Sequence, residues 1–205
     1  VLQKDLSLEG MLWEPIPSFS GQFKGNGHTI SDLTITGEYS PAGLFGIVEE
    51  KGSIESLSVR GVVSVSDSAD TTTGGIVGIN HGTLINCQFT GVVTGDSEVG
   101  GIVGRNESEG TIDHSTARAI VTGKSSTGGI AGYNLGAITG CTNVGSINTE
   151  YQEASLDTDG FTAKMVDYLN NRMSAADDDA TNSVTNVATD TGGIAGRSSG
   201  MILTS

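Results

Sequence analysis

The strongest constraint on this chain is an internal repeat. "GLFG" begins at Gly43, and "GIVG" or "GIAG" begins at Gly75, Gly101, Gly129 and Gly193, in steps of 32, 26, 28 and 64 residues. Such self-similarity marks stacked supersecondary units, none of which can bury its apolar face alone. The central units read "GGIVGINHGTLINCQFTGVVTG", "GGIVGRNESEGTIDHSTARAIVTG" and "GGIAGYNLGAITGCTNVGSINT". Each holds three short apolar patches; in the first of these units they are Ile76-Val77, Leu84 to Phe89 and Val92-Val93. Patches this short and this rich in Val and Ile read as strands, not helices. Gly and Gly-Asn turn signals separate them and leave no room for crossover helices. Three strands per unit therefore predict one rung of a parallel β-helix.

Aligning the units predicts which side chains stack. Ile54, Leu84, Ile112, Ile138 and Ile202 form one interior column. Leu57, Cys87, Ser115, Cys141 and Ser205 form a second, and Val59, Phe89, Ala117 and Asn143 a third, where Asn143 breaks the apolar trend. Asn80, Asn106 and Asn134 recur at the turn after each "GIVG"; they are expected to bond the turn backbone as an amide ladder. Cys87 and Cys141 lie two rungs apart, about 9.6 Å at the usual strand spacing. A disulfide needs Cα atoms within ~7 Å, so two free, buried thiols are expected.

Composition locates the exception to the repeat. The chain has 205 residues and 31 Gly, of which 30 lie outside residues 150–190. That segment carries 9 acids and 2 bases, half of the formal net charge of −14. Within it Phe161, Met165, Leu169 and Met173 recur every fourth residue, which predicts an amphipathic helix near 161–174. Thr158 or Asp159 is available as its cap. The expectation is one β-helix domain over 1–205, with rungs at 5–149 and 183–205 and an acidic helical insertion at 150–182. At the start, Ile30, Leu33 and Ile35 are core candidates, and Trp13 with Leu12 and Phe19 is expected to close the solenoid. At the other end the chain stops at Ser205 in mid-rung, which suggests a piece of a larger protein. About seven rungs, roughly 34 Å of stack, are expected, with the right hand that parallel crossovers prefer.

The quoted residues carry a family resemblance. "GLFG" preceding "GSIESLSVRG", the later "GGIVG" units and "FKGNGHTISDLTI" upstream look like GLUG-motif repeat proteins. These are repeat regions of bacterial surface and secreted proteins, including the N-terminal part of immunoglobulin A1 metalloproteases. The resemblance covers roughly 5–149 and 183–205, and "FTAKMVDYLNN" is similar to a helical element that interrupts such arrays. It implies an extracellular, non-catalytic β-helical region.

Chemistry is harder to find. Clustered Lys and Arg, which duplex nucleic acid would require, are absent from so acidic a chain. A zinc protease needs HExxH; His28, His81 and His114 lie in "GHTI", "NHG" and "DHS" instead. The rival reading is a carbohydrate-active β-helix enzyme of the polysaccharide lyase or hydrolase type. Glu55 and Asp113 share an outward column, with Ile85 between them and no Lys or Arg expected alongside. Their separation of about 9.6 Å is marginal for the ~6.5–9.5 Å of inverting carboxylate pairs. The loops before each "GG" bring Asp67, Asp70, Asp96 and Glu98 to one side, followed by Lys124, an arrangement that suits calcium or simply a solvated acidic edge. The sequence therefore assigns no catalytic, cofactor-binding or metal-binding residue and no cofactor. It is read as a non-catalytic scaffold or recognition region of an extracellular bacterial surface protein, adhesin-like or part of a surface protease. Its partners would be a host or cell-surface protein or glycan and the rest of the parent chain.

Overall fold

A computed structural model describes residues 1–65, 71–148 and 191–203. They form an all-β parallel solenoid of about five turns, fewer than the seven rungs expected. The count falls because several levels are longer than the assumed twenty-six residues: partners along sheet B are Ile16, Phe45, Val77, Val103 and Ala131. The helix expected near 161–174 lies outside the described residues, among which no helix occurs.

Four parallel sheets run along the solenoid. Sheet A, with the longest strands, contains Leu6–Ser7, Thr29–Gly37, Ser58–Val65, Gln88–Thr94, Thr116–Thr122, Thr142–Asn143 and Ser146–Ile147. Sheet B contains Ile16–Phe19, Phe45–Val48, Val77–Asn80, Val103–Asn106, Ala131–Asn134 and Ala195–Ser198. Sheet C contains Gln22–Lys24, Ser53–Glu55, Thr83–Ile85, Thr111–Asp113, Ala137–Thr139 and Met201–Leu203. The fourth, sheet D, corrects the three-strand rung: Thr72–Gly74, Glu98–Gly100, Thr127–Gly128 and Thr191–Gly192 pair among themselves.

Sheet D explains the double glycines. After Gly74 the chain turns sharply, so that sheet D lies against sheet B backbone to backbone. A Cβ on Gly104 would stand 2.6 Å from the Thr73 amide nitrogen, and one on Gly132 would stand 2.4 Å from that of Val99. Only glycine permits that approach. The motif thus marks a fourth strand too short for a hydrophobic pattern to reveal: its closest approach to sheet B is at glycine backbone, and Val99 is its one residue in the hydrophobic core.

The interior columns follow the expected register. Ile54, Leu84, Ile112, Ile138 and Ile202 are consecutive partners, preceded by Phe23 at the level before Ile54. The middle members are fully buried, each worth about 1.5–3 kcal/mol of burial. Val59, Phe89, Ala117 and Asn143 are likewise in register. Asn143 fits there by bonding locally: its Oδ1 accepts from the Gly145 amide at 3.0 Å. Ile30, Leu33 and Ile35 are buried as expected. Near the start of the chain the core is closed by an aromatic trio, Phe19, Phe23 and Phe45, with centroids 5.1–6.5 Å apart. Trp13 packs beside the core and donates from Nε1 to the Leu44 carbonyl at 3.1 Å, whereas Leu12 is 73% exposed and takes no part.

Two stacked devices shape the corners. Between sheets B and C the amides of Asn80, Asn106 and Asn134 form the expected ladder. Asn80 Nδ2 donates to Asn106 Oδ1 at 2.8 Å, Asn106 Nδ2 to Asn134 Oδ1 at 2.8 Å, and Asn134 Nδ2 to Ser198 Oγ at 3.1 Å. All three are fully buried, and each amide also donates to a glycine carbonyl further along its own turn. Between sheets C and A, the residues Asn26, Ser56, Asn86, His114 and Gly140 all adopt positive φ, from 46° to 59°. Asn and Gly enter that left-handed region cheaply; Ser56 and His114 do so at a cost.

Candidate functional site

The outer column of sheet C holds the acids that a carbohydrate-active enzyme would need. Its register runs Lys24, Glu55, Ile85, Asp113, Thr139, Leu203. Ile85 separates Glu55 from Asp113, as the alignment predicts. The expectation that no basic residue lies alongside is corrected by Lys24, one level from Glu55. It was missed because the first rung is too irregular to align with the others. Asp113 is engaged by its neighbour, with His114 Nδ1 at 2.8 Å from its Oδ1. The column therefore presents one Lys–Glu pair of levels and one Asp–His pair, with an isoleucine between.

The edge formed by sheet D and the loops before it gathers a second set of charges. Lys124 Nζ lies 2.8 Å from Asp96 Oδ1. Arg105 serves two acids: Nη1 donates to Glu98 Oε1 at 2.9 Å, and Nε lies 2.8 Å from Glu107 Oε1. Thr72 Oγ1 donates to Glu98 Oε2 at 3.3 Å. Burial nevertheless holds the Glu98 carboxyl above the ordinary range, against the pull of Arg105. Asp67 and Asp70, grouped with these acids in the sequence, lie outside the described residues. Among the described residues no cluster of three or more His, Cys, Asp or Glu is placed to hold a metal ion.

One level outside the asparagine ladder, sheet B presents Ile47, Ile79, Arg105, Tyr133 and Arg197 in register. The Arg105 and Arg197 guanidiniums lie 5.0 and 5.6 Å from the Tyr133 ring centroid. Both faces of the ring are thus taken by cations of this chain. The same repeat alignment that located the asparagines contained this column one residue earlier.

The cysteines are unpaired, as expected, but not alike. Cys87 is buried, while Cys141 is half-buried, which corrects the expectation of two buried thiols. Burial pushes the Cys87 thiol up to about 12 and raises that of Cys141 as well. Ser115 sits between them, its Oγ accepting from the Cys87 amide at 3.1 Å. His28 joins Asp5 at 3.2 Å. The Thr29 amide and then His28 hold the Asp5 carboxyl below its ordinary range.

Comparison with known proteins finds a known repeat motif within the chain. Residues 95–122, one full turn from the end of one sheet A strand to the end of the next, match the model of the GLUG motif. Halomucin of Haloquadratum walsbyi is 35% identical over 117 residues, which are 53% of this chain and 1% of that protein. A protein provisionally named as a Gly-rich membrane protein of Evansella cellulosilytica is 30% identical over 137 residues, 48% of this chain and 16% of its own length. The chain therefore spans a small part of the curated relatives it matches. A crystal structure from Bacteroides ovatus, of a protein provisionally assigned as an immunoglobulin A1 protease, superposes with a TM-score of 0.46 at 19% identity. The match covers 70% of this chain and 60% of that one.

Proposed function

We propose that this GLUG-bearing solenoid is a non-catalytic scaffold and recognition region of an extracellular surface protein, adhesin-like or part of a surface protease. The observation that carries the reading is where the polar groups go. The buried amides are spent on the ladder that holds the turns together, and the outward Glu55 and Asp113 flank an isoleucine instead of a shared reacting position. The four sheets offer long, regular outer faces instead, which suit presentation to a host or cell-surface protein or glycan. Right-handed winding belongs to the same proposal and rests on the general preference of parallel crossovers. The extracellular location rests on the resemblance to surface and secreted repeat proteins. Incubating the protein with polysaccharides and denatured peptides, and following product release, tests the reading. No turnover is expected. Turnover that disappears in Glu55→Gln would refute it in favour of a carbohydrate-active enzyme.

A further inference from the structure

Charge is distributed unevenly over the sheets. The chain carries a formal net charge of −14, yet the sheet A strands 58–65, 88–94, 116–122, 142–143 and 146–147 contain no acidic residue at all. They carry two bases, Arg60 and Arg118, both exposed and without a carboxylate partner among the described residues. The register places Arg60, Thr90 and Arg118 in one outward column. The one acid on this sheet among the described residues, Asp32, lies on the adjoining strand at the bulge opposite Arg60 and turns to its other neighbour, accepting hydrogen bonds from Ser7 and Ser31.

The column beside the arginines is apolar: Val62, Val92 and Ile120 stand in register, pointing away from the core. Val62 and Ile120 are half-exposed, and Val92 between them is fully covered. Hydroxyl and amide side chains border this ridge, with Gln88 Nε2 donating to Thr90 Oγ1 at 3.3 Å and Thr122 exposed on the far side. Along the solenoid axis the face thus carries a line of two arginines, two half-exposed apolar side chains and bordering hydroxyls.

We infer that the outer face of sheet A, from Arg60 to Arg118, is a docking surface for a linear anionic polysaccharide lying along the solenoid axis. Three features match that chemistry. The two guanidiniums are two levels apart, about 9.6 Å, a spacing comparable to that of successive carboxylates in a polymer with one acid per disaccharide. Guanidinium pairs with a carboxylate or sulfate through two parallel hydrogen bonds, which favours Arg over Lys here. The half-exposed Val62 and Ile120 give the C–H faces of sugar rings two apolar contacts, with Thr and Gln beside them to bond hydroxyls. On a chain of net charge −14, these two arginines also favour the approach of an anionic polymer to this face.

This inference rests on the scaffold reading and gives it a ligand class. The test uses the whole chain with hyaluronan oligosaccharides of defined length, neutral dextran and poly-glutamate, by calorimetry and gel shift at low and physiological salt. Hyaluronan is expected to bind and dextran not to bind. Arg60→Gln and Arg118→Gln should each weaken hyaluronan binding several-fold and the double variant more than tenfold, while Lys124→Gln, on another face, should leave it unchanged. Affinity should fall as salt rises. Absence of hyaluronan binding, or binding indifferent to the double variant, would overturn the assignment. Equal, arginine-dependent capture of poly-glutamate would overturn it in favour of an acidic protein partner. Product length separates the two readings: shortened hyaluronan would refute the non-catalytic scaffold, whereas no binding with intact polymer refutes this surface alone.

Discussion

Replacing Asn106 by alanine tests what holds the solenoid's turns in register. Asn106 is the middle rung of the amide ladder, with Asn80 donating to its Oδ1 and its own Nδ2 donating to Asn134, both at 2.8 Å. Truncation leaves one Asn80 N–H and the Asn134 Oδ1 buried without those partners. The Gly110 carbonyl, which also loses a donor, keeps the Ala137 amide at 2.9 Å. A buried polar group deprived of its partner costs about 1–3 kcal/mol, so the two orphans together predict a loss of about 3–4 kcal/mol. Asn106→Val separates this cost from lost volume. Val48 already occupies the same column one level before Asn80, so the site tolerates that shape, yet the orphans remain and the loss should be similar. In the double variant Asn80→Ala/Asn106→Ala the shared bond is removed only once. Its cost should fall short of the sum of the singles by about 1 kcal/mol or more. Urea unfolding followed by far-ultraviolet circular dichroism reads these differences from the midpoint and slope. A loss below about 1 kcal/mol for Asn106→Ala, or strict additivity in the double variant, would show that the ladder is incidental and that apolar stacking sets the register.

Four further outcomes follow from the same structure. Gly104→Ala drives a methyl to 2.6 Å from the Thr73 nitrogen and 2.8 Å from the Gly78 oxygen; a loss of about 3 kcal/mol is expected, and a stability near wild type would refute the account of sheet D. Ser56→Gly relieves a positive φ of 51° and should stabilise by about 0.5 kcal/mol after glycine's own entropy cost, measurable as a raised urea midpoint. Cys87 should resist a thiol reagent at pH 8 in the folded protein, where a pKa of about 12 leaves about one thiolate in ten thousand, and should react at once in urea, with Cys141 reacting first under native conditions. Glu98 has a raised carboxyl pKa, so the folded state holds its proton more tightly than the unfolded chain. Its contribution to stability is full below the ordinary carboxylate value and is lost as pH rises through the folded one. Glu98→Gln should therefore flatten the decline of stability across that window, and an unchanged pH profile would contradict the burial argument.

The sequence by itself determined the solenoid, its interior columns and the asparagine ladder. Repetition supplies what a single segment lacks: Ile54, Leu84, Ile112 and Ile138 must share an environment because each rung buries its face against the next. Cys87 and Cys141 were legible as unpaired for the same reason, since level spacing alone separates them. The tertiary structure decided what repetition cannot express. Sheet D is built on close backbone approach at Gly74, Gly104 and Gly132, and strands this short leave no hydrophobic pattern to read. Lys24 joins the Glu55 column through a first rung whose loops differ in length from the others, so only the fold sets its level. The pairing of Arg105 with Glu98 depends on side chains meeting across the corner between sheets D and B, a distance that neither period nor composition encodes. The arginine column of sheet A belongs to both: Arg60 and Arg118 sit at matching repeat positions, but that they line up on one outer column is settled only when the levels stack.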